Sequence, residues 1–394
     1  MRVLMLCSEY PPAKVFGLGR AVHDLSCALT ADGDEVHVLT NSLGGRDQDV
    51  VVDGVSVHRI NFPNPPRPPD ATSCVIQFNI SLLERAQEVL PSLGELDVIH
   101  AHDWLVSLAA VSLRDQCQVP LVSTFHDTAM GKYFGVLNRE QQYISFSERW
   151  LAGESDRVIV CSSHVRDEII QHCGIPPSRI DVIPCGVDPA PFGVAVNLPA
   201  FRDVLAGPEE RVILYVGRLD PEKGVEVLVR AFARLDPEAG ELRLVIVGEG
   251  QRAEMLQQLA EEVGVRKQVT FLGYVSHPAL AAVFRAAELV VVPSLYEPFG
   301  MVALEAMAAG RPVVASDAGG LGEIVTSEET GLCVPCGDER ALAGAMERLL
   351  GDPGFAASLA ASGRERALRE YSWQRAADRT RQCYSRVLRR DTMA

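Results

Sequence analysis

Short runs of β-branched and leucine residues alternate with longer helical patterns along the whole chain, and this alternation restricts the fold more than any other feature. Runs of this length, bounded by Gly, Pro or Asp, are typical of strands buried on both faces of parallel sheets. The predicted strands are Val3–Leu6, Val36–Leu39, Val98–His100, Leu121–Phe125, Val158–Val160 and Val182–Ile183, followed by Val212–Val216, Leu242–Val247, Val269–Leu272, Leu289–Val292, Val313–Ala315 and Cys333–Val334. Two such series in succession predict two doubly wound α/β domains.

A proline-rich stretch between the two series predicts the domain boundary. Asp188–Arg211 has four prolines and little helical periodicity, as is typical of a linker. We therefore predict a first domain over residues 1–190, a linker over 191–210 and a second domain over 211–370. A second proline-rich stretch, Asn61–Asp70, predicts an extended surface loop within the first domain.

Composition and charge disfavour several classes of protein. The chain has 37 basic and 52 acidic residues, a net charge of −15, which disfavours a nucleic acid as its main partner. The sequence has no apolar run long enough to span a membrane, and the run Met1–Cys7 is too short for a signal peptide. The ten scattered cysteines indicate reduced thiols. We therefore expect a soluble cytoplasmic protein.

The loop after the first predicted strand has two glycines suited to binding a phosphate. Gly17 and Gly19 allow a ligand to approach the backbone, and the helix that begins near Arg20 offers unpaired amides to an anion. The third glycine of the dinucleotide-binding pattern is missing, so a simple tight turn remains an alternative. A later pair, Gly248 and Gly250, is better explained by turn and capping roles.

The loop after the first strand of the second domain has two cations suited to a diphosphate. Arg218 and Lys223 lie five residues apart, and together they could neutralise the leaving group of a nucleotide sugar. Pairing of these surface charges with Asp220 and Glu222 is the alternative.

The segment Val290–Met307 is the most informative part of the chain. A strand ends at Pro293 and a helix begins near Gly300, so the first amides of that helix are available to an anion. Glu297 precedes the helix and Glu305 lies on its second turn, where each carboxylate could accept a hydrogen bond from a sugar hydroxyl. An ordinary helix-start acid and an exposed helix acid are the alternative.

These segments together resemble the retaining glycosyltransferases of family 4, the glycogen-synthase-like and sucrose-synthase-like group. The resemblance covers essentially the whole chain. It rests on Ser8–Pro12, His100–Trp104, Thr124–His126, Ile183–Asp188, the Arg218/Lys223 loop and the Glu297/Glu305 pair. It implies the GT-B fold, in which two doubly wound Rossmann-like α/β domains face a central cleft. It also implies that a C-terminal helix, about 371–394, crosses back to the first domain.

The resemblance also implies roles for individual residues. In the catalytic set, Arg218 and Lys223 would hold the donor diphosphate, Glu297 would contact the transferred sugar, and His126 would lie beside it. Asp103 matches a position on the acceptor side. Donor binding is implied for Gly17, Gly19, Tyr274, Phe299, Gly300, Met301, Val302 and Glu305. Among these, Glu305 would bind the ribose, and Tyr274 belongs to the segment that borders the base. Phe16 departs from the family, which commonly has a second glycine there, and a phenylalanine does not easily adopt the backbone angles open to glycine.

The predicted reaction is transfer of a hexose, with glucose favoured, from a nucleoside diphosphate sugar such as UDP-glucose to an acceptor hydroxyl, with retention of configuration. The acceptor could be a glucan, a small glycoside, a cyclitol or a lipid head group, and the oligomeric state is left open. A nucleotide-sugar epimerase or a phosphorylase of the same fold, a non-catalytic nucleotide-sugar sensor and a nicotinamide dehydrogenase are the alternatives. Peripheral membrane contact through the arginine-rich C-terminal helix is not favoured.

No cofactor or metal is expected for catalysis. Alternation along the strand end is taken to place His100 and His102 on opposite faces, where they could not share an ion. Cys333 and Cys336 have thiol-pair spacing without a second pair nearby. Residues 47–49 resemble the acid-x-acid motif of metal-dependent sugar transferases, although a polar surface turn is favoured.

Overall fold

The computed structural model describes residues 1–12, 17–42, 46–62, 71–194, 202, 205–207, 209–236 and 241–391. The chain forms two compact units, one of Met1–Gly186 with Trp373–Ala394 and the other of Val187–Ser372. Phe16, residues 63–70 of the predicted proline-rich loop and much of the predicted linker lie outside the described residues.

The first unit is built on an eight-stranded sheet with the order β3-β4-β2-β1-β5-β6-β7-β8. The neighbouring strands are parallel except for the antiparallel pair β3 and β4 at one edge. The strands are β1 (Arg2–Leu6), β2 (Glu35–Asn41), β3 (Gln48–Val52), β4 (Val55–Ile60), β5 (Val98–His102), β6 (Leu121–Phe125), β7 (Arg157–Val160) and β8 (Ile180–Val182). Strands β5 and β6 are buried at every residue, as strands covered by helices on both faces must be.

Helices cover this sheet and complete the first unit. They are α1 (Gly17–Ala31), α2 (Ala71–Leu93), α3 (Ser107–Cys117), α4 (Ala129–Lys132), α5 (Arg139–Glu154), α6 (Ser163–Glu168) and the C-terminal α15 (Trp373–Asp391), with single turns at Trp104–Val106, Ile169–Cys173 and Pro177–Arg179. Among the described residues, no helix combines the length and the hydropathy needed to cross a membrane.

The second unit has a six-stranded parallel sheet with the order β11-β10-β9-β12-β13-β14. Its strands are β9 (Arg211–Val216), β10 (Leu242–Val247), β11 (Val269–Gly273), β12 (Leu289–Val292), β13 (Val313–Ser316) and β14 (Leu332–Val334). Its helices are α7 (Ala190–Gly193), α8 (Val225–Phe232), α9 (Ala253–Glu262), α10 (His277–Ala286), α11 (Met301–Ala308), α12 (Leu321–Ile324), α13 (Glu339–Gly351) and α14 (Pro353–Glu370), with single turns at Pro221–Lys223 and Arg266–Gln268. Every strand predicted from the sequence overlaps an observed strand.

The C-terminal helix α15 belongs to the first unit, as predicted. Its apolar side shares a buried core with α1 and the central strands. Tyr384 of α15 is fully buried, and its hydroxyl lies 2.7 Å from Nδ1 of His100 on β5. On the polar side, the Arg381 guanidinium donates to the carboxylates of Asp32 and Asp34, which follow α1. Arg381 is thus a C-terminal arginine that is used in internal ion pairs.

Strands β3 and β4 were not predicted, and for β3 the reason is its position at the edge of the sheet. β3 starts with the polar Gln48 and Asp49, and Val51 is 73% exposed, so the apolar pattern of a buried strand is missing. The polar turn favoured for residues 47–49 was wrong for Gln48 and Asp49, which pair with β4. Asp49 accepts hydrogen bonds from His58 and Arg85, which gives this carboxylate a structural role.

Candidate active site

Loops from the carboxyl ends of β9, β10 and β12 pack backbone to backbone in the second unit. Gly248 has a φ of 137°, and a Cβ built there would lie 1.8 Å from the carbonyl oxygen of Gly217. Gly224 has a φ of 64°, and its Cβ would lie 2.1 Å from the carbonyl oxygen of Pro293. Only glycine fits such contacts without displacing the neighbouring backbone. Besides the turn role predicted for it, Gly248 therefore allows the backbones at the ends of two neighbouring strands to approach closely.

Lys223 and Glu297 meet at this edge of the sheet. Lys223 closes the turn after β9, Glu297 follows β12, and the lysine Nζ lies 2.9 Å from Oε2 of the glutamate. The same oxygen accepts a 2.9 Å hydrogen bond from the hydroxyl of Ser294. Both charged side chains are less than one-fifth exposed, so each takes the place of part of the hydration that the other loses on burial.

Arg218 forms the ion pairs that the sequence suggested as an alternative. Its guanidinium contacts the carboxylates of Asp220 and Glu222, the latter at 2.6 Å. The Tyr215 hydroxyl donates to the carbonyl oxygen of Arg218 at 2.7 Å. These contacts place the arginine directly beside the Lys223 turn and hold its head group in a defined position.

The helix α11 begins beside Glu297. Gly300 precedes it with a φ of 113°, Met301 and Val302 form its half-buried first turn, and Glu305 lies half-buried on the second turn. A Cβ at Gly300 would lie 2.6 Å from the side chain of Leu321. The first amides of a helix are suited to an anion, and the two carboxylates lie on either side of them along the chain.

Two further predicted donor residues lie nearby in this unit. Phe299 is buried, with its ring centroid 6.1 Å from that of Tyr371, so its side chain is part of the core and its backbone leads into α11. Tyr274 directly follows β11 and is 38% exposed. Since the order is β11-β10-β9, this tyrosine lies at the margin of the site.

In the first unit, the predicted glycine loop follows β1. Gly17 is the first residue of α1, and a Cβ there would meet no atom within 4 Å. The amide of Gly19 donates to Oε1 of Glu9 at 2.9 Å, so this amide already has a carboxylate partner. In the described part of the loop, the Glu9 carboxylate thus holds the first turn of α1 in place.

Three histidines lie together at the ends of β5 and β6. The ring centroids of His100 and His102 are 4.2 Å apart, and Nδ1 of His102 lies 3.2 Å from Nε2 of His126. The expectation that His100 and His102 point to opposite faces was wrong, because residues two apart on a strand share a face. Burial lowers the pKa of His100 to about 3 and that of His126 to about 4, so both rings are neutral near pH 7.

Asp103 is placed beside His126 by an unusual backbone conformation. It directly follows β5 with a φ of 61°, and its buried carboxyl accepts a 2.7 Å hydrogen bond from the His126 amide. Burial, together with the negative charge of Asp127, raises the pKa of Asp103 well above its usual range. The structure thus brings the predicted acceptor-side aspartate and the predicted catalytic histidine together.

Sequence reasoning missed two polar residues that support these groups. Ser294, which is 2% exposed, bonds Glu297 and lies only three residues before it. Glu148 on α5 accepts a 2.8 Å bond from the Ala129 amide, and burial raises the pKa of Glu148 to about 8. The Ser294–Glu297 spacing was a local signal, whereas no local pattern pointed to Glu148.

The thiol pair Cys333 and Cys336 does not act as a unit. Cys333 Sγ donates to the carbonyl oxygen of Val325, and Cys336 Sγ donates to that of Asp317, each at 3.2 Å. The ten cysteines, all of them among the described residues, form no disulfide.

Comparisons with known proteins cover nearly the whole chain. Residues 15–191 match the model of Glycosyltransferase Family 4, and residues 199–366 match that of Glycosyl transferases group 1. The chain is 38% identical to a glycogen synthase of Mycobacterium tuberculosis, over 98% of this chain and 94% of that protein. It is 34% identical to a D-inositol 3-phosphate glycosyltransferase of Pseudarthrobacter chlorophenolicus, over 97% of this chain and 94% of that protein. Among solved structures, a sucrose-phosphate synthase from Thermosynechococcus elongatus superposes with a TM-score of 0.85 at 30% identity and covers 98% of both chains.

Proposed function

The chain belongs to glycosyltransferase family 4 and has the GT-B fold, and from this membership we propose that it moves glucose from a nucleoside diphosphate glucose to an acceptor hydroxyl with retention of the anomeric configuration. That it is a glycosyltransferase using a nucleotide sugar follows from its relatives. The donor, the stereochemical course and the acceptor are our proposal.

The ion pair between Lys223 and Glu297 is the observation that carries this proposal. It joins a cation suited to a diphosphate with a carboxylate suited to sugar hydroxyls, beside the first turn of α11. As the diphosphate leaves, negative charge develops on its oxygens, and Arg218, Lys223 and the α11 amides would stabilise that charge. Because these groups supply the positive charge, we propose that transfer needs no metal ion.

For the chemical step, we propose attack from the side that the diphosphate leaves. A phosphate oxygen of the leaving group accepts the proton of the acceptor hydroxyl while the new glycosidic bond forms. Glu297 and Glu305 bind hydroxyls of the sugar and of the ribose. The neutral ring of His126 donates or accepts a hydrogen bond beside the sugar, which avoids placing a full charge against an oxocarbenium-like centre.

The surroundings of Asp103 favour a neutral polyol, such as a glucan, as the acceptor. Asp127 contributes negative charge near Asp103 and Glu148, Glu168 adds negative charge near Glu148, and Lys132 is the cation that acts on both carboxyl groups. This local charge would repel a phosphorylated acceptor, whereas carboxyl groups readily bind sugar hydroxyls. The resemblance to a glycogen synthase supports the same choice.

A phosphorylated cyclitol is the second candidate acceptor, because several relatives are D-inositol 3-phosphate glycosyltransferases. We further propose a cytoplasmic location, which the absence of disulfides among the ten cysteines supports.

One experiment tests these proposals together. The protein is incubated with UDP-glucose or ADP-glucose and with a glucan oligosaccharide, inositol phosphate or no acceptor, and products are identified by mass spectrometry and by the anomeric proton coupling in NMR. We expect an α-linked, elongated oligosaccharide from an α-linked donor. A β-linked product would refute retention, and conversion of the donor sugar without an acceptor would favour the epimerase.

A further inference from the structure

A second cluster of polar side chains lies in the first unit, where α1 meets the turn between β3 and β4. His23 and Cys27 are four residues apart on α1, so they lie on one side of the helix. Asp53 is at the β3–β4 turn, with a φ of 50°. These residues could not be recognised as a group from sequence, because they come from two elements and only His23 and Cys27 are close in sequence.

The three side chains converge on one point. Asp53 Oδ2 lies 3.0 Å and Cys27 Sγ lies 3.6 Å from the same atom, Nε2 of His23. One potential ligand atom from each residue lies within 4.8 Å of the other two. Among the described residues, no other group of three histidine, cysteine or acidic side chains comes together this closely. Imidazole, thiolate and carboxylate in combination are typical ligands of zinc.

The other ring nitrogen of His23 is fixed by a separate carboxylate. Asp24 Oδ1 lies 2.7 Å from Nδ1 of His23, and Asp24 Oδ2 accepts a 2.7 Å bond from Nε of Arg20. With a proton held on Nδ1, Nε2 has the lone pair that a metal requires once its own proton is released. Histidine ligands of metals are commonly oriented in this way by a carboxylate, and this contact is independent of the three converging atoms.

We propose that His23, Cys27 and Asp53 bind a zinc ion, with water in the fourth position. Tetrahedral zinc, with bonds of about 2.0 Å to nitrogen and oxygen and about 2.3 Å to sulfur, separates its ligands by roughly 3.3–3.7 Å. The observed nitrogen–oxygen and nitrogen–sulfur distances are close to this range. Binding displaces the thiol proton and any proton on Nε2, and the thiolate and the Asp53 carboxylate balance the charge of the ion.

Such an ion would connect α1 to the β3–β4 hairpin. The site is built from residues other than those proposed for donor or acceptor binding, so its effect would be on the stability of the first unit. An ion that binds the folded state and not the unfolded chain raises the midpoint of thermal unfolding. The zinc site can therefore be tested independently of the proposed transfer reaction.

The test uses the full chain freed of metal with a chelator. Zinc is added in equilibrium dialysis, and Co²⁺ is used as a spectroscopic probe because a cobalt–thiolate bond gives an intense near-ultraviolet band. We expect one zinc ion per chain, a tetrahedral cobalt spectrum with the thiolate band, and a higher unfolding midpoint with zinc. Cys27→Ser should abolish the band, and Asp24→Asn should weaken zinc binding about 10–100-fold by releasing the His23 ring.

Cys117→Ser is the matched control, since Cys117 is another partly buried thiol, on α3. It should keep the ion, the band and the stabilisation. Asp53→Asn replaces an exposed side chain, so it tests the site without risk to folding. Failure of the wild type to bind zinc, or equal binding by wild type, Cys27→Ser and Asp53→Asn, would overturn the proposal.

Discussion

Lys223 and Glu297 are 74 positions apart in the chain, and a 2.9 Å ion pair joins Nζ to Oε2 at the carboxyl ends of two adjacent strands. Each side chain is the charge partner of the other. In the proposed reaction, the diphosphate and the sugar hydroxyls of the donor would be new partners for the two side chains, so the pair would couple recognition of the phosphates to recognition of the sugar.

Replacement of either residue should therefore remove most transfer while the protein stays folded. We expect kcat of Lys223→Ala and of Glu297→Ala to fall about 10²–10³-fold, because the first variant loses a cation proposed to stabilise the leaving diphosphate and the second loses a carboxylate proposed to position the sugar. The measurement is initial-rate kinetics with the best donor and acceptor, with circular dichroism as the test of folding. Lys267→Ala and Glu262→Ala, at exposed positions, are the controls. Normal turnover in either site variant would contradict the assignment.

The close approach at Gly248 predicts a stability effect. Gly248→Ala forces a Cβ against the Gly217 carbonyl at a positive φ, so we expect a loss of about 1–3 kcal/mol in the free energy of unfolding. Gly344→Ala is the comparison, since Gly344 lies in α13 with no atom within 4 Å of an added Cβ. That variant should gain about 0.5–1 kcal/mol. Urea unfolding of both measures the contrast, and equal stabilities would show that the strand ends adjust freely.

Glu148 predicts a dependence of stability on pH. The pKa of Glu148 is raised from its ordinary 4.5 to about 8 in the folded protein, so the folded state holds this proton more tightly than the unfolded chain does. Its contribution to stability is therefore complete below about pH 4.5 and is lost as the pH rises to about 8. Glu148→Gln keeps an oxygen for the Ala129 amide and removes the titration.

We expect the unfolding midpoint of wild type to fall more than that of Glu148→Gln between pH 5 and pH 8. Differential scanning calorimetry at several pH values measures this difference. Parallel curves for the two proteins would mean that the carboxyl is already ionised in the folded state at low pH.

Metal removal separates catalysis from the proposed zinc site. Because Arg218, Lys223 and helix amides are proposed to neutralise the diphosphate, a chelator should leave kcat within about twofold, a small change beside the loss expected for a missing charge-stabilising group. The same treatment should lower the unfolding midpoint if zinc is bound at His23. Loss of turnover on chelation, with recovery on adding Mg²⁺ or Mn²⁺, would contradict a metal-independent reaction.

The sheets could be predicted well because their strands are buried on both faces. β6, β10 and β12 begin and end where the apolar runs do, since nothing but burial determines their composition. The edge strand β3 could not be found, because its exposed side chains are under no such constraint. The shared face of His100 and His102 follows from strand geometry and was assigned incorrectly.

The side-chain pairing at the site was less accessible from sequence. The loops that contain Arg218, Lys223 and Glu297 are recognisable, but which carboxylate each cation meets depends on how two strand ends are spaced. Arg218 pairs within its own loop, and Lys223 pairs across to β12. The raised pKa of Glu148 depends on burial under α4 and on charges from other loops, which no local pattern encodes.

The return of α15 to the first unit has a consequence for synthesis on the ribosome. The hydrogen bonds of His100 with Tyr384 and of Asp34 with Arg381 cannot form until α15 has been made. Residues Met1–Gly186 therefore lack this packing surface until α15 follows, whereas the second unit is one contiguous segment, Val187–Ser372. Maturation of the nascent protein should accordingly run in reverse of the order of translation, with the later unit complete before the earlier one.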